Sequence, residues 1–207
     1  MEIQKLQRLE TIPITLPERW AYIRLGYRKG KTDISEEQRD AILLKMKKAF
    51  TLCKPTGVYG ILDIVKIENG TIYLSDGSDI YNLILAEKLQ GCRAVWIGAA
   101  TIGPAIAAYC HACFQKKRGS DAAVADAVGS ESVEKAIGFL QHYASTQLMR
   151  RGLVMTNWRF SPGYSDWSLK DELKFDSWLN LGKMGVSLTE SYILQPEKTV
   201  TAIAGLR

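Results

Sequence analysis

Six consecutive residues, Arg159-Phe160-Ser161-Pro162-Gly163-Tyr164, bring together a cation, a hydroxyl, a forced turn and an aromatic ring. An arginine presents a planar fork of donors suited to a carboxylate, and the Tyr164 ring can border or stack on a heterocycle. Pro162 fixes its own φ and biases Ser161 towards extended backbone, while Gly163 can take a positive φ that lets a flat ligand approach the main chain. Two readings fit these residues alone: a ligand loop beside a fixed cation, or an ordinary strand-to-helix turn. A second cluster, Cys110-His111-Ala112-Cys113, puts two thiols near one face of a helix, where they could share an ion. A closed zinc site needs four ligands, and Cys53 and Cys92 each stand alone, so the cysteines read as small core residues of an Ala-rich helix. His111 and His142 read likewise as surface or core residues. The stretch 97–103 lacks the glycine spacing of the turn that follows the first strand in a standard parallel-sheet methyltransferase.

The elements around the six residues follow from periodicity and punctuation. Residues 153–158 form a strand-like run that carries Arg159 at its end, and Ser168-x-x-Asp171 opens a helix after the turn. Upstream, Asp121 begins a long helix through Arg151, rich in small residues that allow close packing. Thr15-Leu-Pro-Glu opens a short helix closed by Gly26, and residues 33–53 form a longer one. Asp79 is expected to cap a helix ending at Gly91, and Pro104 to start one running to about Lys117. Residues 58–67 and 71–74 flank Glu68-Asn69-Gly70, a hairpin signal, and further strands are expected near 94–97, 186–194 and 199–204. A hairpin and two terminal strands predict an α+β fold, a single domain over residues 1–207 with a largely antiparallel twisted sheet and helices packed around it.

Three blocks at the C-terminal end, residues 159–164, Gly185-Val-Ser-Leu-Thr-Glu-Ser to residue 191, and Pro196 with Thr199-Val-Thr-Ala, agree in order and spacing with one known family. The chain resembles the activation domain of cobalamin-dependent methionine synthase. That resemblance implies S-adenosylmethionine (SAM) as bound methyl donor, with Arg159 on its carboxylate and the backbone around Ser161 and Gly163 facing the adenine. Tyr164 matches the same motif. It also implies that Glu134, in a helix of small residues, lies near the SAM amino group. The chemistry it implies is reductive methylation of an oxidised corrinoid: cobalamin held by a partner methionine synthase or related corrinoid methyltransferase is the nucleophile, and this chain orients the donor. A chain that begins at Met1 and contains only this part is expected to meet that partner in trans, with a flavodoxin-like protein as a possible electron donor. A non-catalytic module binding SAM or a corrinoid protein is the competing class. The chain departs from the family at Ser165-Asp166-Trp167, in place of a proline-containing segment, and at Ala204, near which a tyrosine is expected.

Composition excludes several other classes. With 207 residues, 46% hydrophobic and 24% charged, the chain can bury one sizeable core, and no linker or repeat marks a boundary. The net charge of +5 comes from scattered cations with no aromatic-basic interleaving, which argues against nucleic acid. Residues 94–114 contain no Asp, Glu, Lys or Arg, yet Gly98, Gly103 and Pro104 interrupt them, and a buried strand followed by a helix fits better than a membrane span. The first ten residues are charged throughout, unlike a secretory signal, and four unpatterned cysteines give no reason to expect disulfides. A cytoplasmic location is the expectation.

Overall fold

The computed structural model describes residues 4–28 and 30–207; the sequence reading of the N-terminus extends over residues 1–3, which lie outside the described residues. Strand β2 (Thr56–Glu68) is the long member of the sheet and turns back into β3 (Thr71–Leu74) through Asn69 and Gly70. Both turn residues have positive φ, 50° and 78°, as a two-residue hairpin matched to strand twist requires. Strand β1 (Gln4–Leu9) lies antiparallel to the first half of β2. On the other side β2 pairs with β5 (Ala94–Thr101), and β5 pairs with β8 (Thr199–Leu206). The order is β4-β3-β2-β5-β8, every pairing is antiparallel, and β4 is Asp79–Tyr81. A separate ribbon joins β6 (Ser187–Leu188) to β7 (Leu194–Gln195).

All eight residues of β5 are buried because helices cover both sheet faces. On one face, Tyr59, Ile61, Trp96, Ala202 and Ala204 meet Ala136, Ile137, Leu140, Ala144 and Leu148 of α5 (Gly119–Met149). The alanines let this 31-residue helix lie close to the strands. On the other face, Val58, Leu62, Val95, Ile97 and Ile203 pack against α3 (Leu83–Lys88), Trp167 and the Phe175, Trp178 and Leu179 side chains of α6 (Glu172–Leu179). Helices α1 (Glu18–Arg24), α2 (Glu36–Phe50) and α4 (Ala105–Gln115) pack on the first half of α5 around Met46, Ile102, Ile106 and Val128. The fold is therefore α+β with an antiparallel sheet and helices on both sides.

Five sequence expectations change, the first being the strand expected near 186–194, which is the β6–β7 ribbon folded around a turn at 189–193. Asp79 does not cap a helix: it opens β4, and Asn82 caps α3 by accepting from the Leu85 amide at 2.6 Å. The helix expected over 33–53 begins at Glu36, where Ser35 and Gln38 form a reciprocal capping box. The strand expected at 94–97 runs on to Thr101, since Gly98 makes room for the flat Trp96 indole where any Cβ would collide. The run at 153–158 is an irregular segment beside β8, bridged to it at Met155–Leu206, and the next bridge, Phe160–Ile203, lies just beyond it. Among the described residues no helix is long and apolar enough to cross a membrane.

Candidate functional site

Helix α5 supplies one wall of the site. Glu134, Gly138 and Gln141 are spaced four and three residues apart, so they share a face. The Arg159 guanidinium lies across this face, donating from Nη2 to Glu134 Oε2 at 3.2 Å and from Nη1 to Gln141 Oε1 at 2.9 Å. Gly138 sits beneath it, and a Cβ there would stand 3.8 Å from Nη1, an ordinary contact. Arg159 is 28% exposed and Glu134 49% exposed, so the pair faces solvent along one side. The structure thus brings together two residues that lie 25 apart in the chain.

Gln141 was not singled out by sequence, yet it organises this wall. Its amide nitrogen donates to Thr156 O at 3.0 Å and reaches Trp158 O at 3.5 Å, while its oxygen accepts from Arg159. Between Thr156 and Phe160 the backbone leaves β8, and this buried amide supplies what β8 no longer does. The only signal in the sequence is its position, seven residues beyond Glu134 on the same helix face.

Beyond Arg159 the chain returns to β8. Phe160 exchanges two backbone hydrogen bonds with Ile203, and Ser161 Oγ donates to Thr201 O at 2.6 Å. Gly163 then takes φ +87°, Tyr164 N donates to Ser161 O, Gly163 N to Trp167 O, and Trp167 N to Tyr164 O. A side chain at Gly163 would adopt an unfavourable backbone conformation and bring its Cβ within 3.3 Å of Leu169 Cδ1. Phe160 and Trp167 stack with centroids 6.0 Å apart and close the loop from beneath. Tyr164, 65% exposed, lies above Phe160 with centroids 6.5 Å apart. The turn is packed below and open above.

The departures from the family pattern have structural places. Asp166 accepts from Asn82 Nδ2 at 2.6 Å, tying the loop to the cap of α3, and Trp167 is buried with its indole N–H on Asp171. Ala204 is fully buried beneath α5, paired across from Trp96. Glu172, a second residue that sequence reading missed, is 3% exposed at the start of α6. Its two carboxyl oxygens stand 2.8 and 2.9 Å from Thr201 Oγ1. Burial pushes its pKa up to about 7 against the opposing pull of the Thr201 hydrogen bond, with the nearby Asp171 adding a smaller rise.

The cysteines fall elsewhere. Cys113 is buried and accepts from Arg118 Nη2, Cys110 Sγ donates to Ala122 O, and all four thiols are free. Among the described residues no three His, Cys, Asp or Glu side chains are grouped to hold a metal ion.

No protein-family profile matches the chain, and no curated protein matches it by sequence. By structure it is similar to a crystal structure of the MetH reactivation domain bound to AdoHcy, with a TM-score of 0.69 and 14% identity over 97% of this chain and 78% of that one. At that identity the likeness shows the fold, which this chain shares with the reactivation domain of MetH.

Proposed function

We propose that the chain binds SAM, and its demethylated product S-adenosylhomocysteine, at the Arg159 to Tyr164 turn and so supports reductive methylation of a corrinoid carried by a partner protein. The observation that carries the reading is the juxtaposition of Arg159 with Glu134. A guanidinium and a carboxylate side by side complement the zwitterionic amino-acid end of this ligand: Arg159 takes its carboxylate and Glu134 its ammonium group. The Ser161, Gly163 and Tyr164 turn takes the adenine end, since the positive φ of Gly163 leaves the main chain uncovered by a side chain. The fold shared with a reactivation domain crystallised with AdoHcy supports this assignment.

No general base is required for such a transfer. The corrinoid supplies the nucleophile, the methyl carbon leaves its sulfur with the bonding pair remaining there, and an external low-potential reductant supplies the electron. The part played by this chain is orientation: its α5 wall and its turn fix the two ends of the donor so that the methyl group points outward. A methionine synthase or related corrinoid methyltransferase is the proposed partner, a flavodoxin-like protein a proposed electron donor, and the cytoplasm the proposed setting.

Titration calorimetry with S-adenosylhomocysteine tests the site, one ligand per chain being expected. The function is tested by mixing the chain with a cob(II)alamin-loaded corrinoid methyltransferase, SAM and reductant, and following the loss of cob(II)alamin by visible absorbance. A rate equal to the protein-free control, with ligand binding intact, removes the reactivation role and leaves a SAM-binding module.

A further inference from the structure

Glu172 has no place in the ligand site as described, yet it is joined to it by one residue. Thr201 is 1% exposed and has two bonds in opposite directions: its carbonyl accepts from Ser161 Oγ at 2.6 Å, and its hydroxyl meets both carboxyl oxygens of Glu172. The Thr201 hydroxyl donates to the carboxyl, a bond that by itself favours the charged form, and the burial of the acid outweighs it. Among the described residues no cation acts on this acid. Asp171, the charged neighbour acting on it, has the same sign and is itself engaged by Lys174 at 3.0 Å and by the Trp167 indole. The other polar groups along this end of β5 and β8 are hydroxyls, Thr101 and Thr199, bonded to one another at 2.9 Å. A buried carboxylate here is thus unpaired, and it must shift or admit water when it ionises.

We propose that Glu172, in its neutral form, is a positioning residue that locks β8 and the Ser161 turn into the ligand-binding geometry, so that affinity falls when its proton is lost. The inference rests on the reading of the turn as the binding site for SAM and S-adenosylhomocysteine. Titration near neutrality, at about 7, puts the change within reach of ordinary buffers. If ligand binds only the protonated form, affinity follows the protonated fraction and drops about tenfold between pH 6 and pH 8.

The test measures S-adenosylhomocysteine affinity by calorimetry at both pH values for the wild type, Glu172→Gln and Thr201→Val. The expected result is an approximately tenfold loss in the wild type and less than a twofold change in both variants, with Thr201→Val carrying the comparison should Glu172→Gln fail to fold. A flat wild-type profile with binding retained overturns the proposal, as does a Glu172→Gln protein that keeps the wild-type slope. Hydrogen exchange of the ligand-free chain over residues 159–167, corrected for intrinsic rates, decides the same point independently of ligand. Protection lost at pH 8 in the wild type but kept in Glu172→Gln supports the lock, and equal protection in both overturns it. Absence of any binding with that exchange difference present removes the ligand assignment and leaves the lock standing.

Discussion

Glu134 and Glu172 stand on opposite sides of the same turn and differ in nearly everything that governs a carboxyl group. Glu134 is half exposed on the middle of a long helix and faces a guanidinium; Glu172 is buried at the first position of a short helix and faces a hydroxyl. The first can exchange its partner for a ligand group at small cost, because water still reaches it. The second has no charged partner to exchange, and its surroundings favour a proton instead. The turn is thereby flanked by one acid that keeps its charge at the surface and another held where burial favours the proton. Residue type alone does not separate these roles; the element that delivers each does.

The sharpest way to break this comparison is through stability. Glu172 has a folded pKa of about 7 against an ordinary value of 4.5, so its favourable contribution is complete below pH 4.5 and is lost as pH rises through 7. Replacing it by Gln removes that dependence. The variant is expected to gain about 3 kcal/mol relative to wild type between pH 4 and pH 8, from a shift of that size at 1.36 kcal/mol per unit. Denaturant unfolding at the two pH values measures it, and a constant difference between the proteins contradicts the burial argument.

Arg159→Ala comes next, with an expected loss of roughly 1.5 to 3 kcal/mol in S-adenosylhomocysteine affinity if a charge-assisted carboxylate contact disappears. Affinity for 5′-methylthioadenosine, which has no amino-acid group, should not change. An equal loss for both ligands would place the arginine on the wrong end of the molecule. Gln141→Leu should cost about 1 to 2 kcal/mol in folding stability, since the carbonyls of the 156–158 excursion and Arg159 Nη1 lose a partner together. Unfolding by urea checks this, and a neutral result would mean that water replaces the amide. The smallest folding effect belongs to Glu134→Gln, under about 0.5 kcal/mol for a half-exposed ion pair. The same variant should still weaken S-adenosylhomocysteine binding while leaving 5′-methylthioadenosine unaffected. That separation of folding from binding is what distinguishes Glu134 from Glu172.

The legible parts of the chain were those where chemistry is local. Asn69-Gly70 marked its hairpin because both residues accept positive φ, and the helix expected from Asp33 formed three residues later, behind a Ser35-x-x-Gln38 capping box that was not singled out. The turn at 161–164 was likewise read from Pro162 and Gly163, and Arg159 and Glu134 were both picked out and lie together. What escaped depends on distant neighbours. Strand β1 has Leu6 and Leu9 three apart, packing into different clusters, so no alternation identifies it. Gly98 and the alanines after it looked like the end of a strand, because only the folded sheet shows the indole that needs the space. Asp79 and Asn82 are both good caps by type, and pairing of Asp79 with Tyr73 decided between them. Gln141 and Glu172 are ordinary polar residues until β8 and the 156–161 segment are placed beside them.

The segment from Val154 to Ser161 has a further consequence. It runs along the free side of β8, with main-chain bonds at residues 203, 205 and 207 and the Ser161 hydroxyl on Thr201. Six of the eight residues of β8 are buried. Without that cover, β8 is an apolar edge strand with unpaired amides and carbonyls, the kind of surface onto which a second chain adds. The segment proposed to hold the ligand therefore also guards the sheet edge. Substitutions that release it should promote self-association before the core unfolds, and a ligand that holds the loop in place should keep the protein monodisperse.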